Sequence, residues 1–323
     1  MKAIVQDAYG SADLLHLRDI ERPAPRADEV LVEVRAAGVD PSVWHLMTGR
    51  PYVARLSPQI GLRRPTHRVR GWDAAGHVAA VGAEVTRFKP GDEVFGNCEG
   101  SFAEYARAKE EQLAHKPDGF TFEQAAALPV SGVTALQALD TARPRPGQKV
   151  LVIGASGGVG TYAVQLAVHY GAHVTGVCGP TGTGLVRSLG AAEVIDYTRE
   201  DITDRPVRYD FVLDAAGNRP LSQLRRVLAP RGTVAFVGGE NGGPLLGGMD
   251  RWARGLILSL LVRQTFRPVF AVTRRQDLLT LKQLAETGAL TPVIDRAYPL
   301  GEAAAAVRHL ESGHPRGKLV VTI

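Results

Sequence analysis

The sequence predicts an α/β protein in which a doubly wound, parallel-sheet domain interrupts a β-rich domain. Three observations carry this. From Glu29 to about Lys109, short alternating or β-branched runs are punctuated by turn residues. From about Thr121, apolar strands begin to alternate with helical segments. Beyond a final helical stretch, strand-like runs return. The expected division is residues 1–121 with 280–323 for the β-rich domain and 122–279 for the parallel-sheet domain.

Each element has its own signal. Val30-Leu31-Val32-Glu33-Val34, Gly76 through Gly82 and Asp92-Glu93-Val94-Phe95-Gly96 read as strands. Lys149-Val150-Leu151-Val152-Ile153 leads into a helix from Val159 to Tyr170, and the run His173 to Cys178 is followed by a helix around Gly184 to Leu189. Val194-Ile195, Phe211-Val212-Leu213 and Thr233 to Val237 continue the alternation, which means parallel βαβ units. A last helix, about Gln276 to Thr287, stops at Gly288, a C-terminal cap residue. Val293-Ile294 and Lys318 to Val321 are strands expected to rejoin the first domain. The apolar run Gly255 to Val262 is far shorter than the roughly 20 residues of a membrane span. It reads as a buried helix at a subunit contact; with Phe236-Val237 at the expected sheet edge, it predicts a homodimer.

Composition narrows the partners. With 45% hydrophobic and 22% charged residues among 323, the chain is ordinary globular protein. A net charge of +5, spread out except between Arg55 and Arg70, argues against nucleic-acid binding. The Arg55–Arg70 stretch reads either as a substrate lid attracting anionic groups or as a solvated loop. Two cysteines, Cys98 and Cys178, allow neither a disulfide framework nor a four-thiolate zinc site, and the nine histidines, His314 among them, show no metal-binding spacing. Met1-Lys2-Ala3-Ile4-Val5 begins as a strand rather than a signal peptide. The expectation is a cytoplasmic protein acting on a small molecule, without membrane or nucleic-acid partners.

The strongest local signal is the fully apolar Val150 to Ile153 running into Gly154-Ala155-Ser156-Gly157-Gly158-Val159-Gly160 and then a helix. This meets the Rossmann dinucleotide template with Ala155 in place of the first glycine. Gly157 lets backbone approach a pyrophosphate, Gly160 lets helix and strand pack closely, and the helix N-terminus offers unpaired N–H groups. After the next strand an NAD-specific site carries Asp or Glu, whereas this chain reads Cys178-Gly179-Pro180-Thr181-Gly182. No carboxylate stands there to repel a 2′-phosphate, so NADPH is the expected cofactor.

The order of motifs carries a resemblance. Ala36 to Pro41, Gly71 to Gly76, Phe88 to Gly96, Phe102 to Tyr105, Ala126 to Ala135, the glycine loop, Arg187 to Ala191, Asp214 to Gly217 and Arg316 to Val320 resemble the medium-chain dehydrogenase/reductase superfamily, in its zinc-independent, quinone-oxidoreductase-like branch. The resemblance spans essentially the whole chain. It implies a GroES-like β-barrel followed by a Rossmann domain, with the active site in the cleft between them. Zinc-dependent members have a cysteine ligand where Asp40 stands and Gly-His-Glu where this chain has Gly71-Trp72-Asp73; Trp72 cannot bind metal, so no zinc is expected. The resemblance further implies cofactor contacts from Thr134, Ala155, Ser156, Gly157, Gly158, Val159, Gly160, Cys178, Thr181, Tyr197, Ala215, Val237, Gly238, Gly239, Phe270 and Lys318. Tyr197 matches a tyrosine that meets the 2′-phosphate in similar enzymes, and Thr134 one beside the nicotinamide; plain helix packing explains Thr134 equally simply.

Without a metal, developing charge on substrate oxygen must be met by hydrogen-bond donors. Hydride addition to a quinone or enone spreads that charge by conjugation, so conjugated acceptors are the expected substrates. The candidate catalytic residues are Tyr52 as donor, with His45 and Asp40 in support. Against this, Asp40 reads equally as a helix cap ahead of Pro41, and Trp44 and Tyr52 as core. A zinc-free alcohol dehydrogenase or ketone reductase, or a non-catalytic dinucleotide-binding sensor or adaptor, are the competing functions.

Overall fold

The fold comes from a computed structural model that describes residues 1–57, 60–239, 242–313 and 315–323, so His314, and Pro58 and Gln59 of the basic loop, lie outside the described residues. The chain divides into two compact units, residues 1–133 with 273–323, and residues 134–272.

The N-terminal stretch supplies β1 (Lys2–Val5), β2 (His16–Asp19), β3 (Glu29–Val39), α1 (Pro41–Thr48), β4 (Asp73–Val81), β5 (Glu93–Asn97), β6 (Tyr105–Lys109), β7 (Leu113–His115), α2 (Phe122–Ala126) and α3 (Pro129–Asp140). β3 is the organising strand. Its eleven residues are buried except Glu33 and Arg35, and it pairs with β4 and β6 and with the returning C-terminal strand. Val30, Val32 and Val34 are buried in a core shared with Phe88, Phe102 and Leu113. Each such side chain contributes about 1.5–3 kcal/mol by leaving water. β1 and β2 form a separate antiparallel pair.

The second unit holds β8 (Lys149–Ile153), α4 (Gly158–His169), β9 (His173–Cys178), α5 (Thr183–Ser188), β10 (Glu193–Asp196), β11 (Tyr209–Asp214), α6 (Leu221–Val227), β12 (Leu228–Phe236), α7 (Gly243–Leu246), α8 (Met249–Leu261) and β13 (Thr265–Pro268). The strand order is β10-β9-β8-β11-β12-β13, all parallel. Chain order reverses between β8 and β11, which opens a crevice at the carboxyl ends of these strands.

α9 (Arg275–Glu286), β14 (Ile294–Pro299), α10 (Ala303–Glu311) and β15 (Lys318–Thr322) complete the chain. β15 pairs with β3 and β14 with β15, so the first domain is discontinuous as expected.

Four expectations need correction. The unit boundaries fall at 133/134 and 272/273 rather than 121/122 and 279/280, because α2 packs on β3, β4 and β5 and α9 packs on β7, tying both to the first unit. The helix ending before Gly288 is not the last: the alanine-rich α10 follows it and buries Ala303, Ala306 and Val307. α8 is not a buried helix, since it buries only Gly255 and leaves Leu260 85% and Leu261 77% exposed. Phe236 is not at the sheet edge: β13 flanks it, and Phe236 is fully buried against Phe266.

Candidate functional site

In the second unit the expected cofactor residues gather at the carboxyl ends of the strands. β8 ends in Gly154, whose φ of +83° turns the chain sharply toward α4. Only glycine fits at Gly160, where a Cβ would lie 2.0 Å from the Gly154 carbonyl oxygen. A Cβ on Gly157 would meet nothing nearer than that same oxygen at 3.5 Å, so the surface over Gly157 stays open. No side chain caps the α4 N-terminus, so the first-turn N–H groups at Gly158, Val159 and Gly160 remain available for an anion beside the positive helix end. Ala155 is fully buried, and Ser156 lies against Gly182.

Next to this loop, β9 and β10 end together, with Cys178 opposite Asp196. Cys178 is buried, and burial pushes its thiol up to about 11, so it is no nucleophile. Tyr197 is 51% exposed and its hydroxyl lies beside Gly179, where a Cβ would approach it to 3.3 Å; Thr181 is exposed in the same loop. The sequence reading missed Asp196. Its carboxylate accepts from the Thr198 backbone N–H at 3.0 Å and hydroxyl at 2.8 Å, bonds that hold it below the usual carboxylate range.

On the other side of the crevice, Ala215 and Val237-Gly238-Gly239 follow β11 and β12. Gly238 is sterically required, because a Cβ would come within 2.1 Å of the Ala215 carbonyl oxygen. Asp214, fully buried, accepts from the Gly217 N–H at 3.0 Å and pairs with Arg251, which fixes this turn. Phe270 is 67% exposed and meets Trp252 edge-on at 5.0 Å. Thr134 is 8% exposed within α3. These residues fit a dinucleotide: an uncapped helix start, an open glycine surface and two backbone turns at the switch point.

In the first unit the structure assembles a buried ionic cluster that the sequence did not disclose. Asp40 caps α1, with Oδ1 accepting from the Ser42 N–H at 2.8 Å, so its capping role is real. Its other oxygen is buried with no hydrogen-bond partner among the described residues, 3.9 Å from the Lys318 ammonium. Lys318, expected among the cofactor residues, is 2% exposed; its Nζ lies 3.7 Å from Asp73 and donates to the Ser131 hydroxyl at 3.2 Å. Asp73 accepts from Asn97 at 2.9 Å and from the Val130 N–H at 3.1 and 3.2 Å, placing a carboxyl at the N-terminus of α3. Burial, and then the neighbouring Asp40, push Asp73 up to about 8. Asp73 was visible only as one half of an altered ligand motif.

The C-terminal end of α1 sets the Tyr52 segment. Gln6 donates to the Met47 carbonyl at 2.8 Å, Arg70 to Leu46 at 3.1 Å, and Arg55 to Thr48 at 3.1 Å and Gly49 at 2.8 Å. These donors satisfy carbonyls that a helix end leaves open. His45 Nδ1 donates to the Arg50 carbonyl at 2.8 Å, which places the proton on Nδ1 of the neutral ring. Tyr52 is not core: it is 41% exposed, its ring under the Arg55 guanidinium at 4.7 Å. Trp44 is half-buried on the core and donates to Glu311 at 2.9 Å. Trp72 is half-buried, and among the described residues no group of three metal-ligating side chains exists.

Comparison with known proteins agrees with this geometry. Residues 26–118 match the alcohol dehydrogenase GroES-like domain, and residues 189–321 match a domain described as zinc-binding dehydrogenase. The chain is 33% identical to a chloroplastic quinone oxidoreductase of Triphysaria versicolor, over 99% of this chain and 98% of that one. It is 36% identical to a chloroplastic NADPH-dependent alkenal/one oxidoreductase of Arabidopsis thaliana, over 99% of this chain and 79% of the relative. The crystal structure of Escherichia coli quinone oxidoreductase complexed with NADPH superposes with a TM-score of 0.85 at 26% identity, covering both chains completely.

Proposed function

Because the chain belongs to the quinone-oxidoreductase-like branch of the medium-chain dehydrogenase/reductase superfamily and is an NAD(P)H-dependent oxidoreductase, we propose that it reduces conjugated carbonyl acceptors, quinones or enones, with NADPH. The observation that carries this is the uncapped start of α4 behind the open surface of Gly157, with Tyr197 beside Gly179. Bound there, the cofactor supplies hydride from its reduced nicotinamide. Gly158 to Gly160 hold the pyrophosphate by backbone N–H groups. Tyr197 and Thr181 donate to the 2′-phosphate. Thr134, Ala215, Val237 to Gly239 and Phe270 frame the nicotinamide half.

Tyr52 is the proposed donor to the acceptor oxygen, since its phenol is accessible and has no hydrogen-bond partner among the described residues. His45 holds the Arg50 carbonyl and so orients the turn that presents Tyr52. Trp72 offers no ligand where zinc-dependent relatives have one, so we infer that zinc is not required. The free, buried Cys98 and Cys178 suit a reducing compartment, and we propose the cytoplasm, although the two relatives above are chloroplastic. No described helix is long and apolar enough to cross a membrane. We also propose a homodimer, with the exposed apolar face of α8 covered by a second copy.

A panel of quinones, enones, unconjugated aldehydes and alcohols, followed by nicotinamide absorbance with chelator present, tests the reading. Turnover confined to conjugated acceptors is expected. Turnover of alcohols or simple aldehydes alone, or activity lost to chelator and restored by zinc, overturns it.

A further inference from the structure

Arg50 and Arg55 gather beside Tyr52 and Arg70 lies within charge range of Tyr9, and among the described residues none of the three has a carboxylate partner. Other arginines of the unit are paired, such as Arg18 and Arg68 with Asp7, Arg87 with Glu110 and Glu111, and Arg308 with Asp13. Arg22, stacked on Tyr105, has no carboxylate partner among the described residues either, so it is the clustering of cations that sets this group apart. Arg55 lies 4.2 Å above the Tyr9 ring and 4.7 Å above the Tyr52 ring, and Arg50 lies 5.8 Å above Tyr52. Arg70 is 3% exposed, and its Nε and one terminal nitrogen have no hydrogen-bond partner among the described residues.

Capping α1 does not account for this. A helix C-terminus offsets roughly half a positive charge, against three here. A neutral side chain suffices for such a carbonyl, as Gln6 shows at Met47. An unpaired buried guanidinium is destabilising, and burial draws Arg70 down to about 10. Charge left uncompensated in the free chain is the mark of a site whose counter-ion arrives with a ligand. Guanidiniums stacked on tyrosine rings are also pre-oriented for the two-point grip that carboxylate and phosphate accept.

We propose that Arg50, Arg55 and Arg70, interleaved with Tyr9 and Tyr52, form the seat for an anionic group, a carboxylate or phosphate, carried by the conjugated acceptor. The exposed Arg50 and half-buried Arg55 touch the anion, and Arg70 raises the potential behind them. The proposal rests on the reductase reading, because Tyr52 then faces an acceptor whose far end this seat holds.

The test compares 4-oxo-4-phenylbut-2-enoate, an enone acid, with its methyl ester, in wild type, R55Q and R70L. Wild type is expected to favour the acid by about 10- to 100-fold in kcat/KM, the worth of a charge-assisted contact, chiefly through KM. Each variant should bring the acid-to-ester ratio toward one. R70L should also raise Tm, because it removes an unpaired buried charge. Equal use of acid and ester by wild type, or a ratio unchanged in both variants while R70L lowers Tm, overturns the seat and leaves capping alone. If neither compound is turned over, the reductase reading fails and the seat is judged by thermal unfolding without cofactor. Stabilisation of wild type but not R70L by the acid supports it, with inorganic phosphate reporting whether any oxyanion suffices; no stabilisation of wild type by either anion overturns it.

Discussion

At the scale of single residues, Tyr52 and Asp73 make opposite demands on experiment. Tyr52→Phe removes one hydroxyl and keeps the ring under Arg55. If that hydroxyl serves the acceptor oxygen, kcat should fall by about 10²-fold while the melting temperature stays close to wild type. An unchanged kcat would return Tyr52 to packing. Asp73 concerns stability instead. Its carboxyl is pushed from 3.8 up to about 8 in the folded chain, so the folded state holds this proton more tightly than the unfolded state. The resulting stability is fully present below about pH 4 and is lost as pH rises through about 8. Asp73→Asn keeps an acceptor for Val130 and removes the titration. Chemical denaturation between about pH 5 and 9 should show a decline in wild type that is distinctly shallower in the variant. Parallel declines would assign the pH dependence to other groups.

At the scale of elements, α8 is apolar on both sides, with Trp252 and Leu258 packed on the core. Met249, Leu256, Ile257, Leu260 and Leu261 point outward, while Gly255 faces Phe236 and Phe266. The apolar run was legible in the sequence, but its direction was not, because periodicity gives a stripe without saying which neighbour it faces. A stripe this apolar calls for a partner. Leu256→Ser, Ile257→Ser and Leu260→Ser combined should convert a dimer to monomer in sedimentation velocity at micromolar concentration; a wild-type monomer would remove the proposed interface. The glycine loop shows the other extreme. Gly157 and Gly160 are legible from their spacing together with the apolar strand before them and the helix after, and the close approach at Gly160 is the physical constraint that makes the pattern readable. Clusters that draw on distant segments, such as Asp40, Asp73 and Lys318, leave no local pattern. Neither does the capping of α1 by Gln6, Arg55 and Arg70, whose residues carry no fixed spacing.

At the scale of the whole molecule, strand alternation and the glycine turn were enough to predict an interrupted two-domain chain. The exact boundaries were not, because α2 and α9 are assigned by what they pack against. Cofactor preference belongs to this scale too, since it depends on two adjacent strand ends together. With no carboxylate directly after Cys178 and the Tyr197 hydroxyl beside Gly179, NADPH should bind several-fold more tightly than NADH, and Tyr197→Phe should narrow that gap. Titration by nicotinamide fluorescence measures both; equal affinities would remove the preference.

The pairing of β15 with β3 has a consequence for biosynthesis. The whole parallel-sheet unit leaves the ribosome before β14 and β15 do, so residues 134–272 can fold while the first unit still lacks two strands. During that interval Asp40 and Asp73 have no Lys318 beside them, and closing the first unit means burying two carboxyls without their cation. The first segment of the chain to be made is therefore the last to become native. Stalled nascent chains ending near Gly313, with β14 still inside the ribosome, should resist protease across residues 134–272 and remain cleavable between β3 and β7.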